Sequence, residues 1–394
     1  MLFARISLLV SVVFGMVACT TTQPPVVVTP PIVPPIIKPV ETFQLSTFAA
    51  MPGWENDDVR EAWPAFLNSC NVLIKRQAWK EACSLAHQVE ATNAAVIRTY
   101  FETFFTPYQV VNPDGKDHGL VTGYYEPLLR GARKRGGVYQ TPLHKTPDDL
   151  LTIDLTSVYP ELKGMRLRGR VVGNKVVPYL SRGELVESNA LVNKELCWVD
   201  DPIAAFFLQV QGSGRVYMAD TKETVRVAYA DQNGYPYKSI GRYLVANGEL
   251  TLDQASAQGI KSWVAAHPAR QQELLNANPS YVFFKEEEIA DPSIGPKGAL
   301  GVPLTPQRSI AVDAQFIPLG APAFLATTLP NSDAPLQRLV MAQDTGGAIR
   351  NAVRADFFWG FGDEAGENAG RMKQQGMLWV LLPKSMPAPI TAAR

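Results

Sequence analysis

Three short apolar runs near the C-terminus each carry an aspartate at or near their end. The runs are SIAVD (309–313), LVMAQD (339–344) and VRADFFWG (353–360), and their aspartates are Asp313, Asp344 and Asp356. Short runs rich in β-branched and aromatic residues predict strands rather than helices. Because strand ends are rigid, the three runs can hold a cluster of carboxylates, and such a cluster can retain a proton for acid catalysis.

An aspartate followed by glycines is also a common turn former, and any one of the three could be only that. Asp344 fits this alternative best, because Thr-Gly-Gly follows it at 345–347. Asp356 fits it least, because the bulky run Phe-Phe-Trp at 357–359 continues a strand. On that strand Asp356 shares a face with Arg354, which makes the face mixed, as the wall of a cleft would be.

The N-terminus has the pattern of an export signal. Arg5 provides a thin positive region, residues 6–17 form an apolar core too short to span a membrane, and the site MVAC ends at Cys19. A site that ends in cysteine resembles the lipobox of bacterial lipoproteins, so we expect residues 1–18 to be removed and Cys19 to be lipidated. Thr20 follows, which by resemblance favours an outer-membrane lipoprotein facing the periplasm of a Gram-negative bacterium. An ordinary export signal with an incidental cysteine is the alternative.

Residues 19–45 are rich in proline and almost free of charge. This composition predicts an extended tether rather than a folded unit. The rest of the chain is long enough for two domains with substantial cores.

The charged residues and histidines argue against several classes of protein. Lys plus Arg and Asp plus Glu each total 37, so the charge does not favour binding to nucleic acid. Only four histidines occur, without the spacing of metal ligands. A zinc site or a histidine-based triad is therefore poorly supported, and we expect neither a metal nor a cofactor.

Three cysteines remain once Cys19 is set aside, namely Cys70, Cys83 and Cys197. In an exported protein, Cys70 and Cys83 could form a disulfide across a helical stretch and leave Cys197 as a buried thiol. All three could equally be small core residues.

Periodicity along the chain predicts an α+β fold that is mainly β. Apolar residues at helical spacing predict helices at 59–75, 91–105, 252–275 and 363–375, with a cap at Thr92-Asn93 and a break at Pro268. Short runs between glycine-containing turns predict strands at 121–125, 166–172, 175–179, 205–210 and 215–218. Because strands and helices do not alternate regularly, we expect two β units with peripheral helices.

Three segments combine aromatic rings with amide and hydroxyl groups, as carbohydrate-binding surfaces do. They are TGYYEP (122–127), FFLQVQGSG (206–214) and GYPYKSIG (234–241). On a strand at 205–210, Gln209 and Gln211 would leave the same face. Tyrosine and glutamine are also ordinary residues of β surfaces, so only the three segments together indicate a glycan site.

A series of motifs in order resembles the MltA family of membrane-bound lytic murein transglycosylases, whose C-terminal 3D domain is named after three aspartates. The motifs are TGYYEP (122–127), FLQVQGSG (207–214), YKSIGR (237–242), NPSYVFF (278–284), VD (312–313), QDTGGAI (343–349) and ADFFWG (355–360). The resemblance extends from about Trp63 to Pro383. Arg350-Asn351 departs from it, because the family more often has Lys-Gly there.

The resemblance implies a double-psi β-barrel domain with an inserted second β-barrel domain and peripheral helices. The first domain would comprise residues 46–126 and 286–394, with the 3D domain at about 305–385. The inserted domain would comprise residues 127–285 and line a groove that takes a glycan strand.

The resemblance also implies an enzyme of cell wall turnover, a lyase acting on polysaccharide. Members cleave the β-1,4 bond between N-acetylmuramic acid and N-acetylglucosamine in peptidoglycan without water, and leave 1,6-anhydromuramic acid ends. Asp356 corresponds to the family's acid/base, with Asp344 and Asp313 as supporting carboxylates. The candidate glycan contacts are Thr122, Tyr124, Tyr125, Glu126, Gln209, Gln211, Ser213, Tyr237, Lys238 and Trp359. The expected partners are peptidoglycan glycan strands, the membrane through Cys19 and, as a candidate, a cell-wall synthesis or division complex.

The implied chemistry places a requirement on Asp356. A glycoside hydrolase uses two carboxylates, whereas a transglycosylase can use one that first donates a proton and later accepts one. Such an acid needs a pKa above the ordinary ~3.9, raised by burial or by a neighbouring carboxylate such as Asp344. Arg354 would oppose this, so we expect its guanidinium to point elsewhere, to Asp313 or Asp363.

Other functions remain as alternatives. A muramidase or other hydrolase would use Glu126 or Asp344 as a second carboxylate and release a reducing end. A non-catalytic peptidoglycan-binding lipoprotein would use the same groove without chemistry. A metal-dependent phosphatase is the most distant alternative, because no histidine or lysine constellation accompanies the aspartates.

Overall fold

The structure is a computed structural model that describes residues 41–162, 164–289 and 291–387. The predicted export signal, Cys19 and nearly all of the predicted tether lie outside these residues. Within the described ranges, no helix has the length and apolar character needed to cross a membrane.

Strands make up most of the regular structure in the described ranges. The strands are β1 (Phe43–Leu45), β2 (Phe105–Val110), β3 (His118–Glu126), β4 (Leu128–Ala132), β5 (Thr141–His144), β6 (Leu151–Thr152), β7 (Arg168–Val172), β8 (Lys175–Pro178), β9 (Glu195–Val199), β10 (Ser213–Met218), β11 (Thr224–Gln232), β12 (Val282–Glu287), β13 (Ser309–Val312), β14 (Pro322–Thr328), β15 (Pro335–Asp344), β16 (Ala355–Phe361) and β17 (Lys373–Pro383). The α-helices are α1 (Trp63–Leu73), α2 (Gln77–Ala86), α3 (Ala94–Phe104), α4 (Arg182–Glu187), α5 (Pro202–Gln211), α6 (Ile240–Ala246), α7 (Ala257–Ala266), α8 (Gln271–Asn276) and α9 (Asp363–Arg371). Short 3-10 helices occur at Phe48–Ala50, Trp54–Asn56, Pro160–Leu162 and Pro268–Arg270.

Six strands close into a barrel. Around the ring they follow the order β3, β17, β14, β15, β13 and β16, and the ring closes where β16 pairs with β3. Strands β2 and β1 extend the sheet beyond β17. A closed ring of strands in a mainly β chain is the architecture expected for a double-psi β-barrel.

The barrel shares its largest apolar core with the N-terminal helices. Trp54, Trp63 and Phe66 are buried there with Phe101 of α3 and Phe324 of β14. The N-terminus of α3 is fixed by Asn93, whose side-chain oxygen accepts the Ala95 N–H at 2.9 Å, as the predicted cap requires. The N-terminal helices therefore pack against the barrel.

A second sheet is built from the middle of the chain. Its strands follow the order β12, β11, β10, β4, β9 and β5, and a small separate sheet contains β6, β7 and β8. All of these strands fall between Leu128 and Glu287, close to the range predicted for the inserted domain. The domain bounds themselves stay a prediction.

Cys70 of α1 and Cys83 of α2 form a disulfide, with their Cα atoms 5.1 Å apart. Cys197 is a buried free thiol. The structure thus confirms the predicted bridge over the alternative of three separate core cysteines. The bridge fastens α1 to α2 beside the barrel.

The strand predicted at 205–210 is wrong, because these residues lie within helix α5. Asp201 caps this helix by accepting the N–H groups of Ile203 and Ala204, and Pro202 occupies the first turn. Gly212 ends it with a φ of 86°, the left-handed conformation that suits a glycine after a helix. These start and stop signals outweigh the aromatic content that had favoured a strand.

Candidate active site

Two of the three aspartates lie in one row that crosses the barrel strands. Asp344 is paired with Ala311 of β13, Ala311 is paired with Asp356 of β16, and Asp356 is paired with Thr122 of β3. Directly paired residues project from the same side of a sheet, and neighbouring strands lie about 4.8 Å apart. The backbones of Asp344 and Asp356 are therefore roughly 10 Å apart on one face, with only the methyl group of Ala311 between them.

An irregularity in the strand pairing places Asp344 in this row. Between β13 and β15 the register runs from Ile310 opposite Ala342 to Ala311 opposite Asp344, so Gln343 is an extra residue. Gln343 is buried, and its amide bonds Ser309 and Ser69 instead of joining the row. A bulge of this kind re-aims the following side chain, which explains why Asp344 and not Gln343 faces Asp356.

The carboxyl group of Asp356 is held through a hydroxyl. Thr122 Oγ1 donates to Asp356 Oδ1 at 2.5 Å, and Arg354 Nη2 donates to Thr122 Oγ1 at 2.8 Å. Burial raises the pKa of Asp356 above its ordinary value, while the Thr122 hydrogen bond and the charge of Arg354 oppose the rise. The raised pKa agrees with the requirement for a protonated acid.

The guanidinium of Arg354 takes a position that was predicted only in part. As expected, no ion pair joins it to Asp356 among the described residues. The expectation that it contacts Asp313 or Asp363 is wrong, because its remaining hydrogen bonds go to backbone carbonyls. Arg354 Nη1 donates to the carbonyls of Leu120 and Ala355, and so fastens β3 to β16 beside the row.

Asp344 is held by three donors. Its Oδ1 accepts the backbone N–H groups of Ala299 and Thr345, both at 2.9 Å, and its Oδ2 accepts the Tyr124 hydroxyl at 3.1 Å. Burial raises the pKa of Asp344, the three donors oppose the rise, and the charge of Asp356 adds to it. The Thr345 bond means that Asp344 is also the turn former that its glycine neighbours suggested.

Tyr124 is suited to remain a donor at this position. It is buried and packs against Phe358, with their ring centroids 5.1 Å apart. Burial and the charges of Asp344 and Asp356 raise the pKa of Tyr124 well above its ordinary value, so its hydroxyl stays protonated. Phe358 shares the face of Asp356, as strand alternation predicts.

Asp313 lies outside the row. Its Oδ1 accepts the N–H of Gln315 and its Oδ2 accepts the N–H of Asn351, each at 3.1 Å. Because both oxygens are bonded to backbone and the residue is buried, Asp313 anchors the loop between Asp344 and Asp356. Asp313 therefore holds the backbone of this loop in place and does not contact the carboxyl groups of the row.

Two predicted glycan contacts are contradicted by burial. The carboxylate of Glu126 is enclosed between Arg226 at 2.6 Å and Arg215 at 2.9 Å, with its side chain 0% exposed. Trp359 is buried on the face of β16 opposite Asp356, where its Nε1 donates to Met372 Sδ at 3.3 Å. Neither side chain can reach a ligand at the surface of the row.

The two glutamines do not share a face, because they lie on a helix. Residues two apart on an α-helix point about 200° apart. Gln209 is buried, and its side-chain oxygen accepts from Arg182 at 2.5 Å. Gln211 instead accepts the backbone N–H of Tyr125 at 3.1 Å, which joins α5 to the end of β3.

The other predicted contacts lie away from the row. Tyr125 is half-buried on the opposite face of β3 from Tyr124, and Ser213 begins β10. Tyr237 is half-buried and Lys238 is exposed. Across the part of the chain that the structure describes, no hydrogen bond links these four residues to the two carboxyl groups of the row.

Sequence reasoning missed two contacts of the site. The N–H of Ala299 reaches Asp344 because Gly298 allows close approach: a Cβ there would lie 2.6 Å from the Gln343 carbonyl oxygen. Arg166 donates to Thr345 at 3.1 Å, which connects the segment before β7 to the loop after Asp344. The glycine in a Pro-Lys-Gly turn was the only signal for the first, and the second had none.

Comparisons with known proteins extend over both sheets. Two family models match, an MltA specific insert domain over residues 120–285 and a 3D domain over residues 308–382. The chain is similar to the membrane-bound lytic murein transglycosylase A of Escherichia coli (strain K12), with 32% identity over 281 residues that make up 70% of this chain and 68% of that protein.

Solved structures are similar over a larger share of the chain. A crystal structure of MltA from Neisseria gonorrhoeae is 38% identical, with 88% of this chain and 93% of that chain covered and a TM-score of 0.75. A crystal structure of E. coli MltA with bound chitohexaose is 28% identical, with 87% and 95% covered and a TM-score of 0.64. The matched ranges include every residue of the row from Thr122 to Asp344.

Proposed function

This chain belongs to the MltA family of membrane-bound lytic murein transglycosylases, and we propose that it cleaves the glycan strands of peptidoglycan with Asp356 as its single acid and base. The bond cleaved is the β-1,4 bond between N-acetylmuramic acid and N-acetylglucosamine, and the product is a 1,6-anhydromuramic acid end. The observation that carries the proposal is the asymmetry between the two carboxyl groups of the row.

Asp356 is the carboxyl group that is suited to hold the proton. Asp344 accepts three hydrogen bonds, and such bonds favour an ionised carboxylate. Asp356 accepts one, from Thr122, and among the described residues no donor lies within hydrogen-bond distance of its Oδ2. Two carboxyl groups on one face disfavour two negative charges, so one of them is expected to keep a proton. The charge of Asp356 raises the pKa of Asp344, but the three hydrogen bonds to Asp344 oppose that rise, and we therefore assign the proton to Asp356.

The proposed reaction needs only this one group. The Asp356 proton moves to the glycosidic oxygen as the bond from that oxygen to C1 of the muramic acid breaks. The positive charge that develops at the sugar is relieved by the C6 oxygen, which bonds to C1. The Asp356 carboxylate then takes the proton of the C6 hydroxyl and returns to its starting form.

The arrangement of the other carboxylates favours this reaction over hydrolysis. A hydrolase needs a second free carboxylate as base or nucleophile. Glu126 is enclosed by two arginines, and both oxygens of Asp313 are bonded to backbone. Asp344 is bonded on both of its oxygens. The muramidase alternative therefore has no unoccupied partner for Asp356 among the described residues.

The proposed substrate is a glycan that lies along the face of the row. The E. coli relative has been crystallised with chitohexaose, which supports a saccharide ligand for this fold. Thr122 and Tyr124 stand beside the carboxyl groups, and Tyr237 and Lys238 are the accessible candidates for contacts further along the strand. A groove between domains 46–126 plus 286–394 and 127–285 remains part of this proposal.

Attachment to a membrane is proposed on the name of the relatives and on the sequence. The relatives are named membrane-bound. We place the attachment at a lipidated Cys19, at the periplasmic face of the outer membrane. The predicted tether 19–45 is too long at its end, because Phe43–Leu45 form β1 and pair with β2. A cell-wall synthesis or division complex stays a candidate partner.

Mass spectrometry of muropeptides tests the activity. Residues 20–394 are incubated with purified peptidoglycan beside the Asp356→Asn variant and, as a matched control, the Asp333→Asn variant, whose aspartate is exposed in a turn. We expect anhydro-muropeptides, one water lighter than hydrolytic products, from the wild type and the control and none from Asp356→Asn. Reducing-end products would instead identify a hydrolase, and unchanged release by Asp356→Asn would exclude Asp356 as the acid.

A further inference from the structure

We infer that Thr122, oriented by Arg354, keeps the acid proton of Asp356 on Oδ2 and thereby makes Oδ2 the atom that exchanges protons with the glycan. The inference rests on the proposed function and names the atom through which it acts. It follows from which groups along the contact from Arg354 through Thr122 to Asp356 are able to donate.

The first contact has only one possible direction. A guanidinium has five N–H donors and no acceptor, so Arg354 Nη2 must donate to Thr122 Oγ1 across their 2.8 Å contact. Arg354 is also held through Nη1, which donates to the carbonyls of Leu120 and Ala355. The hydroxyl of Thr122 therefore always accepts from the same side.

The second contact then has one direction as well. A hydroxyl carries one proton, and Thr122 Oγ1 has Asp356 Oδ1 as its only acceptor among the described residues, 2.5 Å away. The Thr122 proton thus points at Oδ1. Asp356 Oδ1 is an acceptor both before and after the acid proton leaves.

The position of the acid proton follows from this fixed acceptor. In a carboxylic acid the carbonyl oxygen is the better acceptor, so the oxygen that receives the Thr122 hydrogen bond is favoured as the carbonyl. The acid proton is favoured on the other oxygen, Oδ2, which no described donor occupies. The same Oδ2 would give its proton to the glycosidic oxygen and later receive the proton of the C6 hydroxyl.

The charged and titratable groups around Asp356 agree with this assignment. Arg354 immediately precedes β16, Tyr124 lies two residues beyond Thr122 on β3, and Asp344 ends β15 across Ala311. The Tyr124 hydroxyl is engaged with Asp344 Oδ2 and does not compete with Thr122 for Asp356. Lys373 of β17 is paired with Thr122 but is exposed, so solvent screens its charge.

Infrared spectroscopy locates the proton without turnover. The carbonyl stretching band of protonated Asp356 is identified in residues 20–394 by pH-difference spectra against Asp356→Asn. Loss of a hydrogen bond to a carbonyl oxygen raises its stretching frequency. We therefore expect the band to move to higher wavenumber in Thr122→Val and to stay near its wild-type position in Thr122→Ser. A band unmoved in Thr122→Val would place the proton on Oδ1 and overturn the inference.

Kinetics provide the second readout. Thr122→Val removes a hydrogen bond that favours the ionised carboxyl, so we expect the alkaline limb of the kcat profile to move to higher pH. We expect kcat to fall about tenfold, less than the ~10²–10⁴-fold that a general acid itself contributes. Arg354→Met should shift the limb in the same direction, and Lys373→Met, which removes an exposed cation, should not. An alkaline limb that moves to lower pH in Thr122→Val would contradict the inference.

The two proposals can fail separately. If wild-type digests contain no anhydro-muropeptides, the proposed function fails, yet the infrared band still reports which oxygen of Asp356 holds the proton. If the digests contain them and the band does not move in Thr122→Val, only the role of Thr122 and Arg354 fails.

Discussion

Asn351 adopts a backbone conformation that favours glycine, with a φ of 105°. Side chains rarely occupy this region, and a residue held there costs about 1–3 kcal/mol. The hydrogen bond from its N–H to Asp313 Oδ2 holds it in place. The resemblance of the sequence to its family predicts glycine at this position, so the asparagine found there has a physical cost.

We expect Asn351→Gly to increase the free energy of unfolding by about 1 kcal/mol, because relief of the strained φ exceeds the entropy cost of a glycine. Asn351→Ala should decrease it, because alanine keeps the strain and is less tolerant of positive φ than asparagine. Urea unfolding of both variants measures the difference. An alanine variant as stable as the glycine variant would show that the backbone at 351 relaxes freely.

The raised pKa of Asp356 also affects stability. A carboxyl group whose pKa is higher in the folded state than in the unfolded state binds its proton more tightly when folded. The free energy of unfolding therefore falls as pH rises from the unfolded value of ~3.9 through the folded value, and is constant above it. The buried carboxyl group of Asp356 therefore lowers the free energy of unfolding at neutral pH.

We expect Asp356→Asn to be more stable than the wild type at pH 7, by about 1.4 kcal/mol for each unit by which the folded pKa exceeds the unfolded one. This difference should shrink as pH falls toward ~3.9, where both states of the wild type are protonated. Thermal unfolding of both proteins across this pH range measures it. A gain of the same size at all pH values would have to come from packing rather than from the buried charge.

The face on which a side chain lies could be predicted from the sequence wherever strand alternation applies. Contacts with distant strands could not be predicted in this way. Alternation correctly placed Phe358 and Arg354 on the face of Asp356. The same rule puts Trp359 on the other face, where the structure buries it. The burial of Glu126 could not be predicted in this way, because its partners Arg215 and Arg226 come from strands about a hundred residues later.

Among the elements, the turn at 298–300 depends on a close approach to β15. Gly298 has no Cβ. Its backbone passes so near Gln343 that a Cβ would lie 2.6 Å from the carbonyl oxygen of Gln343. This approach brings the N–H of Ala299 to Asp344 and the N–H of Leu300 to Gln343. One glycine therefore connects an irregular segment to the bulge that aims Asp344.

Gly298→Ala should displace this turn and lower the free energy of unfolding by about 1–3 kcal/mol, the usual cost of overpacking. Hydrogen exchange at the Ala299 amide should become faster, because its bond to Asp344 is lost. Gly347→Ala is the matched control, because a Cβ at Gly347 meets nothing within 4 Å. Equal exchange rates in the two variants would mean that the turn accommodates the methyl group without moving.

Elements with local end signals were predictable, and α5 shows what happens when those signals are ignored. Asp201, Pro202 and Gly212 define a helix, whereas the aromatic run between them favours a strand when it is considered alone. The ring of barrel strands has no such local signals. Its pairings join residues far apart in the chain, and they were accessible only through the resemblance to a family.

At the scale of the whole molecule, the barrel combines two distant parts of the chain. Strand β3 precedes the second sheet, whereas β13 to β17 follow it. β3 lies between β16 and β17, so it closes the ring and supplies Thr122 and Tyr124 to the site. The C-terminal part alone contains both aspartates of the row, together with Ala299 and Thr345, but not the side chains of Thr122 and Tyr124 that bond them.

We therefore expect the isolated segment 286–394 to lack a stable barrel and to release no muropeptides, because removal of β3 leaves the edges of β16 and β17 unpaired. Circular dichroism and the peptidoglycan digest measure both effects. Addition of segment 41–126 should restore part of the signal, since it carries the missing strand. A folded and active 286–394 segment would show that β3 is dispensable.

The hydrogen bond between Thr122 and Asp356 spans 234 residues of the chain. Synthesis proceeds from the N-terminus at about 5–20 residues per second, so the two groups are made roughly ten seconds or more apart. A chain that is still emerging from the ribosome contains Thr122 before Asp356 has been made. The contact can form only after β16 has been made, so a chain that stops before residue 356 cannot assemble it.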